Sequence, residues 1–169
     1  MNNIYLTGFM SSGKTTVSKL LSETLNKPLY DTDDLIINKT NLTINDIFLE
    51  FGEEYFRELE TEILEDVSKK ENAIISTGGG IILRDKNRKI MHETGKIIYL
   101  NAEFSVIEER LENARKSRPL LMEETEKIRK RFDDRQPLYK DCDFEIKIKK
   151  DMTPEKIADI IISYLEDIK

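Results

Sequence analysis

Short apolar runs alternate along the chain with stretches whose apolar residues recur every three or four positions. Ile4-Tyr5-Leu6-Thr7 reads as a buried strand, and Val17, Leu20, Leu21 and Leu25 follow it at helical spacing. Pro28-Leu29-Tyr30-Asp31 is a second strand, followed by a small helix over 33–39. Thr43, with Asp46 three residues on, is the expected cap of another helix, whose buried face is Ile44, Ile47, Phe48 and Phe51. Gly52 breaks that segment. A longer helix over 53–69 then turns Phe56, Leu59, Ile63, Leu64 and Val67 inward. Ala73-Ile74-Ile75-Ser76 predicts a third strand and Lys96-Ile97-Ile98-Tyr99-Leu100 a fourth. Helix is expected over 104–111, a charge-rich loop over 112–124, and helix again to about Lys140. Phe144, Ile146 and Ile148 alternate with Glu145 and Lys147, as in an edge strand with one wet face. Pro154 opens a last helix with Ile157, Ile160, Ile161, Tyr164, Leu165 and Ile168 on its apolar side.

Strands separated by helices imply an α/β fold, a five-stranded parallel sheet with helices on both faces. Crossovers should be right-handed. Ligands of such sheets bind beyond the C-terminal strand ends. Three of those ends are polar or glycine-rich here: Thr7-Gly8, Asp31-Thr32-Asp33 and Thr77-Gly78-Gly79-Gly80. They should converge on one crevice. The sequence shows no internal repeat, linker or second domain.

The chain has 169 residues, enough for one domain with a core. Its net charge of −6 argues against nucleic acid as the main partner, because phosphodiester backbones require a basic face. Cys142 and His92 are the only residues of their kinds, so an internal disulfide is impossible and a His/Cys zinc site is disfavoured. No apolar run approaches the ~20 residues of a membrane span, and the N-terminus does not resemble a signal peptide. The expectation is a cytoplasmic, monomeric protein without membrane or nucleic-acid partners.

Gly8-Phe9-Met10-Ser11-Ser12-Gly13-Lys14-Thr15 fits the P-loop pattern, between a strand and a helix. Such a loop turns backbone N–H groups toward an anion at a helix N-terminus. Lys14 adds charge for the outer phosphates, and the Thr15 hydroxyl is placed to bind Mg2+. In Asp31-Thr32-Asp33, strand alternation sends the two aspartates the same way; one could hold Mg2+, the other could accept a hydroxyl proton. The competing reading is that Asp33 or Asp34 only caps the next helix. The triple glycine suggests close approach of backbone N–H groups to a ligand, against the alternative of a flexible turn before Ile81-Ile82-Leu83. Arg57 has Glu53 and Glu60 at helical spacing, so a surface ion pair competes with a ligand role. Arg135, placed by Pro137 at the end of a helical pattern, could join Arg57 in gripping a carboxylate. Arg118-Pro119-Leu120-Leu121 follows Arg110, Arg115 and Lys116; a lid arginine there could neutralise a phosphoryl group in transfer, or the stretch is a solvated charge run.

Taken in order, Gly8–Thr15, Asp31-Thr32-Asp33, Phe48 with Gly52-Glu53, Phe56-Arg57 and Glu60, Thr77-Gly78-Gly79-Gly80, Arg118-Pro119-Leu120-Leu121 and Arg135 with Pro137-Leu138-Tyr139 resemble the shikimate kinases over nearly the whole chain. The resemblance implies a P-loop NTPase fold of the nucleoside-monophosphate-kinase type. It implies one domain over 1–169, with a substrate-binding helical region at about 33–60 and a lid at about 112–124. It also implies ATP held by Ser11, Ser12, Gly13, Lys14, Thr15 and Thr16, with Arg110 near the adenine and Arg118 closing over it. Mg2+ falls to Thr15 and, through water, to Asp31. Shikimate falls to Asp33, Arg57, Gly79, Gly80 and Arg135, and the catalytic set to Lys14, Asp33 and Arg118. The implied reaction is phosphorylation of the shikimate 3-hydroxyl by ATP, a step of aromatic amino-acid biosynthesis. The sequence departs from many members in carrying Ser11 for glycine and Thr15 for serine, and in placing Met152 where some members have a basic residue. A kinase for another acid such as gluconate, a nucleoside-monophosphate kinase, and a non-catalytic ATP-binding regulator are the rival readings.

Overall fold

A computed structural model describes residues 3–117 and 124–168. Five parallel strands form one sheet in the order β2-β3-β1-β4-β5: β1 (Asn3–Thr7), β2 (Leu29–Asp31), β3 (Ile74–Ser76), β4 (Gly95–Ala102) and β5 (Phe144–Ile148). The expected α/β architecture is thereby observed. The central β1 is buried at all five positions, as a parallel strand covered on both faces must be. Helices α1 (Lys14–Leu25), α2 (Thr32–Thr40), α3 (Ile44–Ser68), α4 (Asp85–Thr94), α5 (Phe104–Ser117), α6 (Thr125–Tyr139) and α7 (Pro154–Asp167) complete the described fold. Leu6 pairs in register with Ser76, Ser76 with Asp31, and Thr7 with Tyr99, so the three chemically marked strand ends lie side by side.

Thr43 caps α3 in a capping box with Asp46. Inside α3, Gly52 adopts φ 83° and ψ 173°, a conformation open essentially to glycine alone. The kink separates a short first segment from the long second one, whose Phe56, Leu59, Ile63, Leu64 and Val67 are all buried. Thr153 caps α7, which packs on α1 with Ile157 and Ile161 buried between them.

Four expectations need correction, and one helix went unread. Phe51 is 52% exposed, because the kink at Gly52 turns it off the buried face and onto Tyr55 instead. Ile168 lies past the last turn of α7 and is 47% exposed. The α4 helix was not visible in the apolar pattern; its inward positions are Met91 and the polar Asn87, whose amide donates to the Ile81 carbonyl. The expected loop over 112–124 is helical as far as Ser117. Pro137 stands within α6 rather than at its end, where its missing N–H costs one helical hydrogen bond.

Candidate active site

The first half of the site is backbone. Gly13, at φ 101°, opens α1 with no side-chain cap and no acidic residue in the first turn. By contrast α2, α3 and α7 are capped by Asp31, Thr43 and Thr153. The free N–H groups of α1 therefore face a cleft of about 460 Å³ lined by Ser11, Gly13, Lys14, Thr15, Thr16, Val17, Arg110, Pro154 and Ile157. Ser11 takes φ 59°, the left-handed conformation the loop requires where a glycine would fit without strain. The Arg110 guanidinium donates to the Ser11 carbonyl at 2.8 Å, which brings α5 against the loop. Ser12 is buried, and its hydroxyl has no partner among the described residues. The Lys14 ammonium bonds the carbonyls of Gly8 (2.7 Å) and Phe9 (3.0 Å). Burial lowers its pKa to about 8, with Asp33 and Asp31 opposing the fall.

The second half is built from side chains on separate elements. The strand ends at Asp31, whose Oδ1 accepts from the N–H groups of Asp33 and Asp34. The cap is therefore Asp31, not Asp33 or Asp34, and Asp33 stands in the first turn of α2 rather than on the strand. Cap and helix, not strand alternation, place the two carboxylates. Thr32, on the buried side, accepts from the Gly78 N–H at 2.9 Å and ties α2 to the triple glycine. Asp33 Oδ1 is buried without a partner. Burial pushes the Asp33 carboxyl up to about 6; Asp31 adds to the rise and Lys14 opposes it.

Arg57 and Arg135 both reach the glycine triplet. The Arg57 guanidinium bonds Glu60 at 2.5 Å and Glu53 at 2.9 Å, and lies over the rings of Phe56 and Phe48. Glu60 is 1% exposed, so the pair is a buried one, not the surface pair the spacing alone suggested. Burial works against the Arg57 charge, but Glu60 and Glu53 outweigh it and hold it protonated. Its Nε, Nη1 and Nη2 each donate once to these acids, which leaves an N–H on each Nη for a ligand. A side chain at Gly80 would overlap Arg57, and one at Gly78 would come within 2.5 Å of Asp33 Oδ1 and 3.1 Å of Glu60 Oε1. Glycine is required here by close approach. Arg135 Nη1 donates to the Gly79 carbonyl at 3.3 Å, and its guanidinium stands over Phe9. Burial lowers its pKa, and the neighbouring Arg57 and Arg131 add to the effect.

Lys14, Asp31, Asp33, Arg57, Gly79, Gly80 and Arg135 are thus gathered at the strand ends, with Ser11, Gly13, Thr15, Thr16 and Arg110 on the adjoining cleft. Arg118 lies outside the described residues. Glu60 was read from its spacing only as a surface partner of Arg57; its apolar flanks, Leu59, Ile63 and Leu64, were the signal that it is buried. Tyr139 donates to the Gly79 carbonyl, and Pro154 and Ile157 line the cleft. None of these three was assigned to the site from the sequence.

A glycine loop leading into an open helix N-terminus, at the C-terminal edge of a parallel sheet of this strand order, defines a P-loop nucleotide-binding protein of the small-molecule kinase class. The family model described as shikimate kinase matches residues 10–166. A shikimate kinase of Caldicellulosiruptor bescii is 47% identical over 165 residues, covering 96% of this chain and 95% of that protein. One of Aquifex aeolicus is 42% identical, covering 96% and 95%. Among solved structures, shikimate kinase from Acinetobacter baumannii in complex with shikimate superposes with a TM-score of 0.89 at 33% identity, covering 100% of this chain and 95% of that one. A gluconokinase from Sinorhizobium meliloti, 17% identical with a TM-score of 0.62, shares the fold. The chain belongs to the shikimate kinase family, and is a phosphotransferase acting on a small molecule.

Proposed function

We propose that the chain transfers the γ-phosphoryl group of ATP to the 3-hydroxyl of shikimate, releasing shikimate 3-phosphate and ADP. The observation that carries this reading is the meeting of the buried Arg57 with the half-buried Asp33 and Arg135 on the triple glycine, one strand away from the P-loop. Two guanidiniums with free N–H groups suit a carboxylate, and an unpartnered carboxylate oxygen beside them suits a hydroxyl. A phosphate monoester would leave Asp33 facing a like charge.

The loop N–H groups from Ser11 to Thr16 hold the triphosphate, Arg110 flanks the nucleotide, and Lys14 bears on the transferred group. Arg57 and Arg135 clamp the acid, with Gly79 and Gly80 giving backbone contacts. Asp33 orients the hydroxyl and takes its proton. A loose transition state needs little more from the nucleophile, so alignment and electrostatics dominate. Arg118 supplies the lid charge over 112–124, and residues 33–60 form the acid-binding region.

Mg2+ fits the residues present. Both hydrogen bonds to Asp31 fall on Oδ1, which leaves Oδ2 for a bound water, and Thr15 is exposed at the loop. No cluster of three His, Cys, Asp or Glu exists among the described residues, as suits an ion held mainly by water and phosphate oxygens. When bound, the ion supplies charge neutralisation at the phosphates.

The enzyme acts as a cytoplasmic monomer in this reading, with no membrane or nucleic-acid partner. No helix among the described residues is long and apolar enough to cross a membrane. The deciding experiment is ADP release from ATP with shikimate, gluconate, a nucleoside monophosphate or no acceptor. Release dependent on shikimate is the expected result. Equal release with gluconate, or nucleotide binding without turnover, would replace this reading by one of its rivals.

A further inference from the structure

The phenol of Tyr139 is a buried polar group that the mechanism above does not use. It ends α6 with 1% of its surface exposed. Its ring stacks on Tyr99 of β4, centroids 4.9 Å apart and planes within 9°. Tyr99 is held in turn by its hydroxyl, which contacts Gln136 at 2.9 Å and Asn101 at 3.0 Å. The Tyr139 ring therefore has little freedom, and its hydroxyl donates to the Gly79 carbonyl at 2.5 Å. Burial pushes the phenol above its ordinary value, so it stays a donor at any working pH.

The Gly79 carbonyl and the Gly80 N–H belong to one planar trans peptide and point in opposite directions. Fixing the oxygen fixes the N–H. Glycine supplies no stiffness of its own, so the peptide needs an external hold. The turns on either side close on themselves, Ile81 N–H to Gly78 and Leu83 N–H to Gly80. The Gly80 N–H has no acceptor among the described residues. Gly80 abuts the Arg57 guanidinium. Arg135 also reaches the Gly79 oxygen, but at the longer distance of 3.3 Å.

We propose that Tyr139 is a positioning residue for carboxylate recognition: it orients the Gly79–Gly80 peptide so that the Gly80 N–H joins Arg57 and Arg135 in binding the acid group. The inference rests on the reading of shikimate as substrate. The failure of that reading is distinguishable, because the unaltered protein would then show no shikimate-dependent turnover at all, and both would fall together.

Tyr139→Phe keeps the ring stack and removes one hydroxyl. The expected result is a rise of about five- to thirtyfold in the shikimate KM, with kcat and the ATP KM unchanged. Shikimate methyl ester, which lacks the anionic group, should bind the variant and the parent equally. Tyr99→Phe, which loosens the same stack without touching Gly79, should leave the shikimate KM unchanged. An unaltered KM in Tyr139→Phe, an equal loss for the ester, or the same loss in Tyr99→Phe would overturn the proposal. Should Tyr139→Phe not fold, the amide resonance of Gly80 in the 15N-labelled parent decides: it should move downfield with shikimate and not with the ester, and equal movement with both would refute the assignment.

Discussion

The two halves of the site are made of different materials. The phosphate-binding part of the nucleotide half is one contiguous stretch, Gly8–Thr16, whose backbone donors face an open cleft completed by Arg110, Pro154 and Ile157, with Thr15 and Thr16 exposed. The acid half is assembled from α2, both segments of α3, the loop after β3, and α6, and it draws charge away from water: Glu60 and Arg57 are buried, Asp33 and Arg135 half-buried. A backbone anion site costs little when empty, because its N–H groups are solvated. A buried charged site is strained when empty, because charges are held away from water before their ligand arrives. Selectivity therefore belongs to the acid half, where a wrong ligand leaves buried groups unpaired.

The sharpest test of this division is Asp33→Asn. Turnover should fall by about 10²–10⁴-fold, the usual worth of a positioned general base, while ATP binding measured by calorimetry stays intact. The same change should stabilise the protein. Asp33 has a raised pKa in the folded state, so its charged form is a cost: absent below pH 4, growing as pH rises through about 6, and complete above it. Removing it should add about 1–3 kcal/mol at pH 8. A variant that loses activity without gaining stability would show that Asp33 is not held under strain.

Arg135→Ala comes next in size. Loss of a charge-assisted partner should raise the shikimate KM by on the order of 10²-fold, with the ATP KM unchanged. A matching rise in the ATP KM would mean that the halves are not separable. The pH profile follows. Activity requires Asp33 ionised and Lys14 protonated, so kcat/KM should climb through about pH 6 and fall above about pH 8. Bound phosphates restore charge balance around Lys14, so the alkaline limb should weaken in kcat. Persistence of that limb in kcat would place it on another group.

Legibility in the sequence follows the same division. The phosphate loop could be read directly, because its chemistry depends on neighbours in the chain: a strand, two glycines, a lysine and a helix. The five strands could also be read, four as short apolar runs and the edge strand β5 from its alternation of apolar and polar residues. The acid half could not be derived from local pattern. Spacing gave Arg57 two acidic neighbours and implied a surface pair, whereas the fold, in which α3 packs on α2 and α4, buries Glu60 and leaves guanidinium N–H groups facing the glycines. The residues alone suggested that Arg57 and Arg135 could grip a carboxylate and that the triple glycine meets the crevice, but only the order of motifs, through the family resemblance, assigned them all to one substrate. The α4 helix escaped because Asn87 occupies an inward position where the pattern looks for an aliphatic residue. Phe51 was misplaced because helical periodicity was carried up to a glycine that turns the chain before it.

That glycine gives the smallest and most selective of the expected effects. Gly52 has φ 83° and ψ 173°, and a Cβ placed on it would meet nothing within 4 Å. Gly52→Ala therefore tests backbone strain free of steric overlap. The cost of holding alanine there is about 1–3 kcal/mol, a fall in Tm of roughly 2–4 °C for each kcal/mol in a chain of this size. Relaxation of the kink would rotate the first segment of α3 relative to the second, and so move Phe48 against the Arg57 guanidinium it flanks. The shikimate KM should rise a few-fold while the P-loop, on the other side of β3, keeps its ATP affinity. If ATP affinity fell with it, the kink would be coupled to the whole crevice rather than to its acid half, and the division between the two halves would have to be redrawn.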